Sequence, residues 1–135
     1  MVEQVSVNEQ AKILLVDDIG SMRALLVAIL RELGYRDITQ AASGEEACQL
    51  TQTHAYDVIL CDWEMPGMGG LEVLNKVRES FDADELPFIM VTAEDETSMV
   101  KQAISQGVSD YIIKPFSAGS LREKIDRVTA VKADG

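Results

Sequence analysis

Asp17 and Asp18 follow the apolar run Ile13-Leu14-Leu15-Val16, and Asp62 follows Val58-Ile59-Leu60-Cys61. Thr92 follows Phe88-Ile89-Met90-Val91, and Lys114-Pro115 follows Tyr111-Ile112-Ile113. Singly, each has an ordinary explanation: an Asp pair between a strand and a helix caps or is solvated, and a lone lysine sits on the surface. Jointly, they would place carboxylates, a hydroxyl and an ammonium on one rim. Two carboxylates about 5 Å apart repel by about 3 kcal/mol at an effective dielectric near 20. Three of them require a cation or raised pKa values. Hard oxygen ligands with room for water suit Mg²⁺. A carboxylate nucleophile, a divalent cation, a lysine and a hydroxyl form a set for phosphoryl transfer, which relies on positioning and charge neutralisation.

Short apolar runs must hold these groups, and there is one further run, Ile38-Thr39-Gln40-Ala41. Four of the runs are continuously apolar, as expected for parallel strands covered on both faces, while Ile38–Ala41 is half polar and suits a sheet edge. Helical patterns lie between them. Met22, Leu25, Leu26, Ile29, Leu30 and Leu33 recur at helical spacing and stop at Gly34. Residues 45–53, 71–81, 96–106 (stopped by Gly107) and 117–131 form four more. The alternation predicts an α/β fold with a doubly wound parallel sheet over residues 12–131, with flexible tails at 1–11 and 132–135. In such sheets reactive groups gather at the carboxyl ends of the strands, which is where Asp17, Asp18, Asp62, Thr92 and Lys114 stand.

The chain has 12 Lys and Arg against 23 Asp and Glu, a net charge of −11. Residues 1–116 hold 8 basic and 20 acidic side chains, which argues against non-specific binding to nucleic acid or to an anionic membrane. Cys48 and Cys61 lack a CxxC pairing, and His54 is the one histidine, which leaves neither a zinc framework nor a disulfide scaffold. The opening MVEQVSVNEQA has neither a basic start nor an apolar stretch, and the longest apolar run, Ala24–Leu30, is too short to span a bilayer. A cytoplasmic protein without membrane or nucleic-acid partners is the expectation.

The stretches VDDIGSMR, CDWEMPGMGGLE, MVTAED and YIIKPF resemble the response-regulator receiver domain, in its chemotaxis-type form, over nearly the whole length. The resemblance implies a (βα)5 flavodoxin-like receiver fold, a five-stranded parallel sheet in the order 2-1-3-4-5. It implies that Asp62 accepts a phosphoryl group from a histidine kinase, and that the domain is a switch rather than an enzyme. Asp18 and Asp62 would bind Mg²⁺ directly, Asp17 through water, and Glu64 through its backbone carbonyl. Lys114 would contact the phosphoryl oxygens. Thr92 would move toward them on activation, with Tyr111 turning inward as the aromatic switch, and the Lys114-Pro115 bond would be cis. The face of helix four, strand five and helix five would then meet a flagellar motor component or other effector, and a phosphatase would be a further partner.

The sequence departs from this family in three places. Gly69 stands where Asp or Asn often precedes the glycine that opens helix three, and Gly67, Gly69 and Gly70 together are expected to loosen that loop. Glu64 replaces the Asn of chemotaxis members beside the phosphoryl group, and Ile19 follows Asp18. Asp57 is assigned no chemistry. Met65, Met68, Met90 and Met99 are expected to pack, Trp63 to pack or to touch a partner, and Glu94-Asp95-Glu96 to favour a helix amino terminus.

Three other readings compete. A haloacid-dehalogenase-like phosphatase also uses an Asp nucleophile, a Lys and Mg²⁺, but its DxDx[TV] motif does not match Asp62-Trp63-Glu64-Met65 and its acidic pair comes late in the chain. A flavodoxin would need a hydroxyl- and glycine-rich phosphate loop where Asp17-Asp18 would repel phosphate. A receiver-like interaction module without phosphorylation would not need the full set of polar groups.

Overall fold

The computed structural model describes residues 10–93 and 97–134, with the backbone alone at 97–100 and 130–134. Strands β1 (Lys12–Val16), β2 (Asp37–Ala41), β3 (Val58–Asp62), β4 (Phe88–Thr92) and β5 (Asp110–Ile113) alternate with helices α1 (Gly20–Glu32), α2 (Gly44–Thr53), α3 (Gly70–Ser80), α4 (Thr97–Ser105) and α5 (Ala118–Asp134). The strands form one parallel sheet in the order β2-β1-β3-β4-β5, as the family resemblance implies. Helix α5 runs to Asp134, so the backbone continues in helix past 131, where the sequence suggested a tail. Residues 1–9 and Glu94-Asp95-Glu96 lie outside the described residues.

Alternation along the central strands divides the core in two. Ile13 and Leu15 of β1, Val58 and Leu60 of β3, and Ile89 and Val91 of β4 pack with Leu26 and Leu30 of α1 and with Leu121 and Ile125 of α5. The intervening residues Leu14, Val16, Ile59, Cys61, Phe88 and Met90 pack with Ala47 of α2 and with Val73, Leu74 and Val77 of α3. Side chains of a strand alternate between its faces, so a strand covered on both must be apolar throughout. That is why β1, β3 and β4 appear in the sequence as unbroken apolar runs, and why β2, at the edge, carries Thr39 and Gln40.

Asp57 joins the starts of two strands: its carboxylate accepts the Lys12 N–H at 2.8 Å, and its N–H donates to the Lys12 carbonyl at 2.7 Å. Gly34 and Gly107 adopt φ of 106° and 94° where α1 and α4 stop, a conformation that favours glycine.

Candidate active site

Register explains why the acidic residues meet. Val16 of β1 pairs with Cys61 of β3, so the next residue on each strand, Asp17 and Asp62, faces the same side at the carboxyl end of the sheet. Asp62 pairs with Val91 and Thr92 with Ile113, so Thr92 closes β4 and Lys114 follows directly on β5. The Lys114 N–H donates to the Thr92 carbonyl at 2.8 Å, and the Lys114-Pro115 bond is cis.

Asp17, Asp18 and Asp62 each offer a carboxylate oxygen within 4.8 Å of the others. Asp17 and Asp62 are buried, at 1% and 7% exposure, and Asp18 is half-buried. The Lys114 ammonium stands 3.4 Å from Oδ1 of Asp62. Burial is the main cause that pushes the Asp62 carboxyl above its usual range. Lys114 acts against it, the negative charge of Asp17 adds to it, and the donated N–H of Glu64 again acts against it. Thr92 is buried at the end of β4. Hard carboxylate oxygens in this arrangement, some of them buried and one open to water, fit a small divalent cation that keeps part of its hydration.

Asp17 is held by its backbone as well as by its neighbours. Its N–H donates to the Ala41 carbonyl at 3.2 Å, and its Oδ1 accepts the Ile19 N–H at 2.9 Å. Arg23 Nη1 donates to its carbonyl at 2.7 Å. Arg23 closes the stretch VDDIGSMR, but its place on an amphipathic helix gave no sign of a bond to the Asp17 carbonyl.

The other expected site residues lie at different depths. Glu64 is exposed, and its backbone N–H meets the Asp62 carboxyl. Tyr111 pairs with Met90, two residues short of the rim, and packs half-buried against the α2/α3 cluster with the Lys124 ammonium 5.5 Å from its ring centroid. Trp63 donates its N–H to the Val91 carbonyl at 2.8 Å and packs on the same cluster with Met65 and Met68.

The glycine-rich loop is pinned rather than loosened. A Cβ on Gly70 would lie 2.4 Å from the Asp62 carbonyl oxygen and 2.8 Å from Met90 Sδ, so glycine there allows α3 to start against the end of β3. The Gly70 N–H donates to the Trp63 carbonyl at 2.9 Å, and the Gly69 N–H to Glu72 Oε1 at 3.2 Å. Of the three loop glycines, Gly67 alone has a positive φ, 73°.

The model of the response regulator receiver domain family matches residues 13–126. The chain belongs to this family and is a receiver domain of two-component signalling. It is 37% identical over 121 residues to chemotaxis protein CheY-3 of Vibrio cholerae, covering 90% of this chain and 93% of that protein. To chemotaxis protein CheY of Pseudomonas aeruginosa it is 38% identical over 117 residues, covering 87% and 94%. The solved structure of CheY4 of Vibrio cholerae superposes with a TM-score of 0.81 at 33% identity, covering 88% of this chain and 98% of that one. The receiver domain of the sensor histidine kinase PA1611 of Pseudomonas aeruginosa also gives 0.81, at 30% identity with 90% and 98% covered, and holds a magnesium ion in its active-site cleft. Among the described residues no helix is long and apolar enough to cross a membrane.

Proposed function

We propose that Asp62 is the phosphoacceptor of a chemotaxis- or motility-type response regulator acting in the cytoplasm, with residues 12–131 as the switching unit. The observation that carries this reading is the buried Asp62 carboxylate, with Asp17 and Asp18 oxygens within 4.8 Å and the Lys114 ammonium at 3.4 Å. A carboxylate oxygen of Asp62 attacks the phosphorus of a phosphohistidine on the donor kinase. The P–N bond breaks, the phosphoryl group passes to Asp62 as an acyl phosphate, and the histidine leaves with the electron pair.

Asp18, Asp62 and the Glu64 carbonyl would hold Mg²⁺ directly, and Asp17 through water. The cation, when bound, neutralises the charge that gathers on the phosphoryl oxygens. Lys114 offers a fixed positive charge to the same oxygens, and the Thr92 hydroxyl a hydrogen bond. Because Lys114 and Thr92 are joined through the backbone at 2.8 Å, a shift at one is felt by the other. In this reading Thr92 and Tyr111 turn toward the site together and reshape the face of α4, β5 and α5 for a flagellar motor protein or another effector, and a phosphatase would reset it.

Incubation with acetyl phosphate and Mg²⁺ tests the proposal. Mass spectrometry should show one added phosphoryl group on the wild type and none on Asp62→Asn. Equal labelling of both would remove Asp62 as the acceptor.

A further inference from the structure

Arg23 joins three elements at the acidic end of the sheet. Its backbone lies in α1, where its N–H donates to the Ile19 carbonyl at 3.0 Å. Its Nη1 donates to the Asp17 carbonyl at 2.7 Å, where β1 ends. Its Nε donates to Oε1 of Gln40 on the edge strand β2 at 3.2 Å. The residue it grips is almost fully buried, and its N–H is already tied to Ala41 of β2. The Asp17 carboxylate, in turn, is aimed by the Ile19 N–H. Hydrogen bonds therefore set both where the Asp17 backbone lies and which way its carboxylate points.

We propose that Arg23 is a positioning residue that presets Asp17 for the divalent cation. The inference rests on the metal reading given above. Carboxylates gathered within 4.8 Å repel one another in the absence of a cation, and an unrestrained loop between β1 and α1 would relieve that repulsion by moving outward. Arg23, stapled to β2, opposes the movement. Without the staple, the loop must be drawn back each time a cation binds, and that reorganisation weakens the affinity. The guanidinium suits the task because its planar fork reaches the carbonyl and the Gln40 amide at once. A lysine ammonium, a single point on a flexible stem, would hold one of them. Removing Arg23 would also leave the buried Asp17 carbonyl without this donor.

Mg²⁺ alone is the probe, titrated into the full chain and followed by Trp63 fluorescence and by the melting temperature. Outer partners of direct metal ligands change affinity by about 10- to 100-fold; Arg23 acts through Asp17, which meets the cation through water, so Arg23→Ala should raise the Mg²⁺ dissociation constant several-fold, up to about tenfold. Arg23→Lys should lie between it and the wild type, and Gln40→Ala, which removes one arm of the staple, should weaken binding less than Arg23→Ala. Arg122→Ala is the control for general destabilisation, because Arg122 also donates to a backbone carbonyl, that of Leu33 beyond α1. It should lower the unfolding midpoint and leave Mg²⁺ affinity unchanged. Wild-type affinity in Arg23→Ala would overturn the proposal, as would equal weakening in Arg122→Ala. Identical titrations of the wild type and Asp18→Asn would instead overturn the metal reading, and this inference with it.

Discussion

Replacing Asp62 by Asn should stabilise the metal-free protein at neutral pH, although it removes the proposed phosphoacceptor. Unit charges 4.8 Å apart interact by about 3.5 kcal/mol at an effective dielectric near 20, and a pair at 3.4 Å by about 5 kcal/mol. At Asp62 the attraction of Lys114 outweighs the repulsion of Asp17, and burial of the carboxyl, the main cost, turns the balance against its charge. Water around the half-buried Asp18 screens its charge, so little of the cost comes from there. Asn keeps the shape and removes the charge. A gain of about 1 to 2 kcal/mol is expected, a rise of about 4 to 8 °C in melting temperature for a domain of this size.

Metal should narrow the gap. At 10 mM Mg²⁺ and a dissociation constant of about 1 mM, the wild type gains roughly 1.4 kcal/mol, or about 5 °C, while the Asn variant gains little. The dependence on pH has a definite sign. The native protein holds the Asp62 proton more tightly than the unfolded chain, in which Asp titrates near 3.9. Stability of the wild type relative to the variant therefore rises as the pH falls through the raised native value. The advantage of the variant, full at neutral pH, is gone below about pH 3.9. Calorimetric melts with chelator and with Mg²⁺, at neutral and acidic pH, measure all of this. An Asn variant that is less stable than the wild type in chelator at pH 7.5, with an undiminished Mg²⁺ shift, would refute the electrostatic account.

Trp63 adjoins Asp62 and is half-buried, so its fluorescence should change on adding Mg²⁺ and again with beryllofluoride, a phosphoryl stand-in; the second change should vanish in Asp62→Asn and in Lys114→Ala. Glu64→Asn should leave Mg²⁺ affinity within a few-fold while raising the self-dephosphorylation rate several-fold, read as decay of the labelled protein after the donor is removed. A tenfold change there corresponds to about 1.4 kcal/mol in the barrier. Gly70→Ala should cost about 1 to 3 kcal/mol in urea unfolding, since its Cβ would press on the Asp62 carbonyl at 2.4 Å.

The central strands were legible because burial on both faces leaves them no polar positions; Leu14 and Leu15 each face a core. The polar rim was legible for the same reason, since Asp17 and Asp62 break those runs at their ends. Helix boundaries were less so. Helix α1 begins at Gly20, two residues ahead of the apolar periodicity, because no side chain caps it and the turn is organised by the Asp17 carboxylate on the Ile19 N–H. Long-range bonds from arginine to backbone left no mark at all. Arg78 donates to the Gly107 and Leu86 carbonyls at 2.8 Å, tying α3 to the turn after α4, and burial lowers its pKa. A basic residue on a helix gives no sign that its partner lies 29 residues away. The glycine loop misled for a related reason: glycine signals either freedom or close approach, and the Asp62 carbonyl beside Gly70 decides between them.

The distribution of strain explains how such a site can exist in so small a domain. Negative charge is concentrated where β1 and β3 end, and these strands are anchored by side chains such as Ile13, Leu14, Ile59 and Leu60, all fully buried. The repulsion therefore cannot be relieved by moving the strands, since shifting a packed core forfeits many contacts at once. It can be relieved only in the loops, or by bringing a compensating charge. Arg23 and Ala41 restrain the first loop through Asp17, and the Gly70 N–H on the Trp63 carbonyl restrains the second. What remains free to respond is the exposed Glu64 side chain and the partly exposed Lys114 ammonium. A cation or phosphoryl group entering the cluster thus acts mainly on Lys114 and, through its backbone bond, on Thr92 and β5, the edge of the sheet farthest from β2.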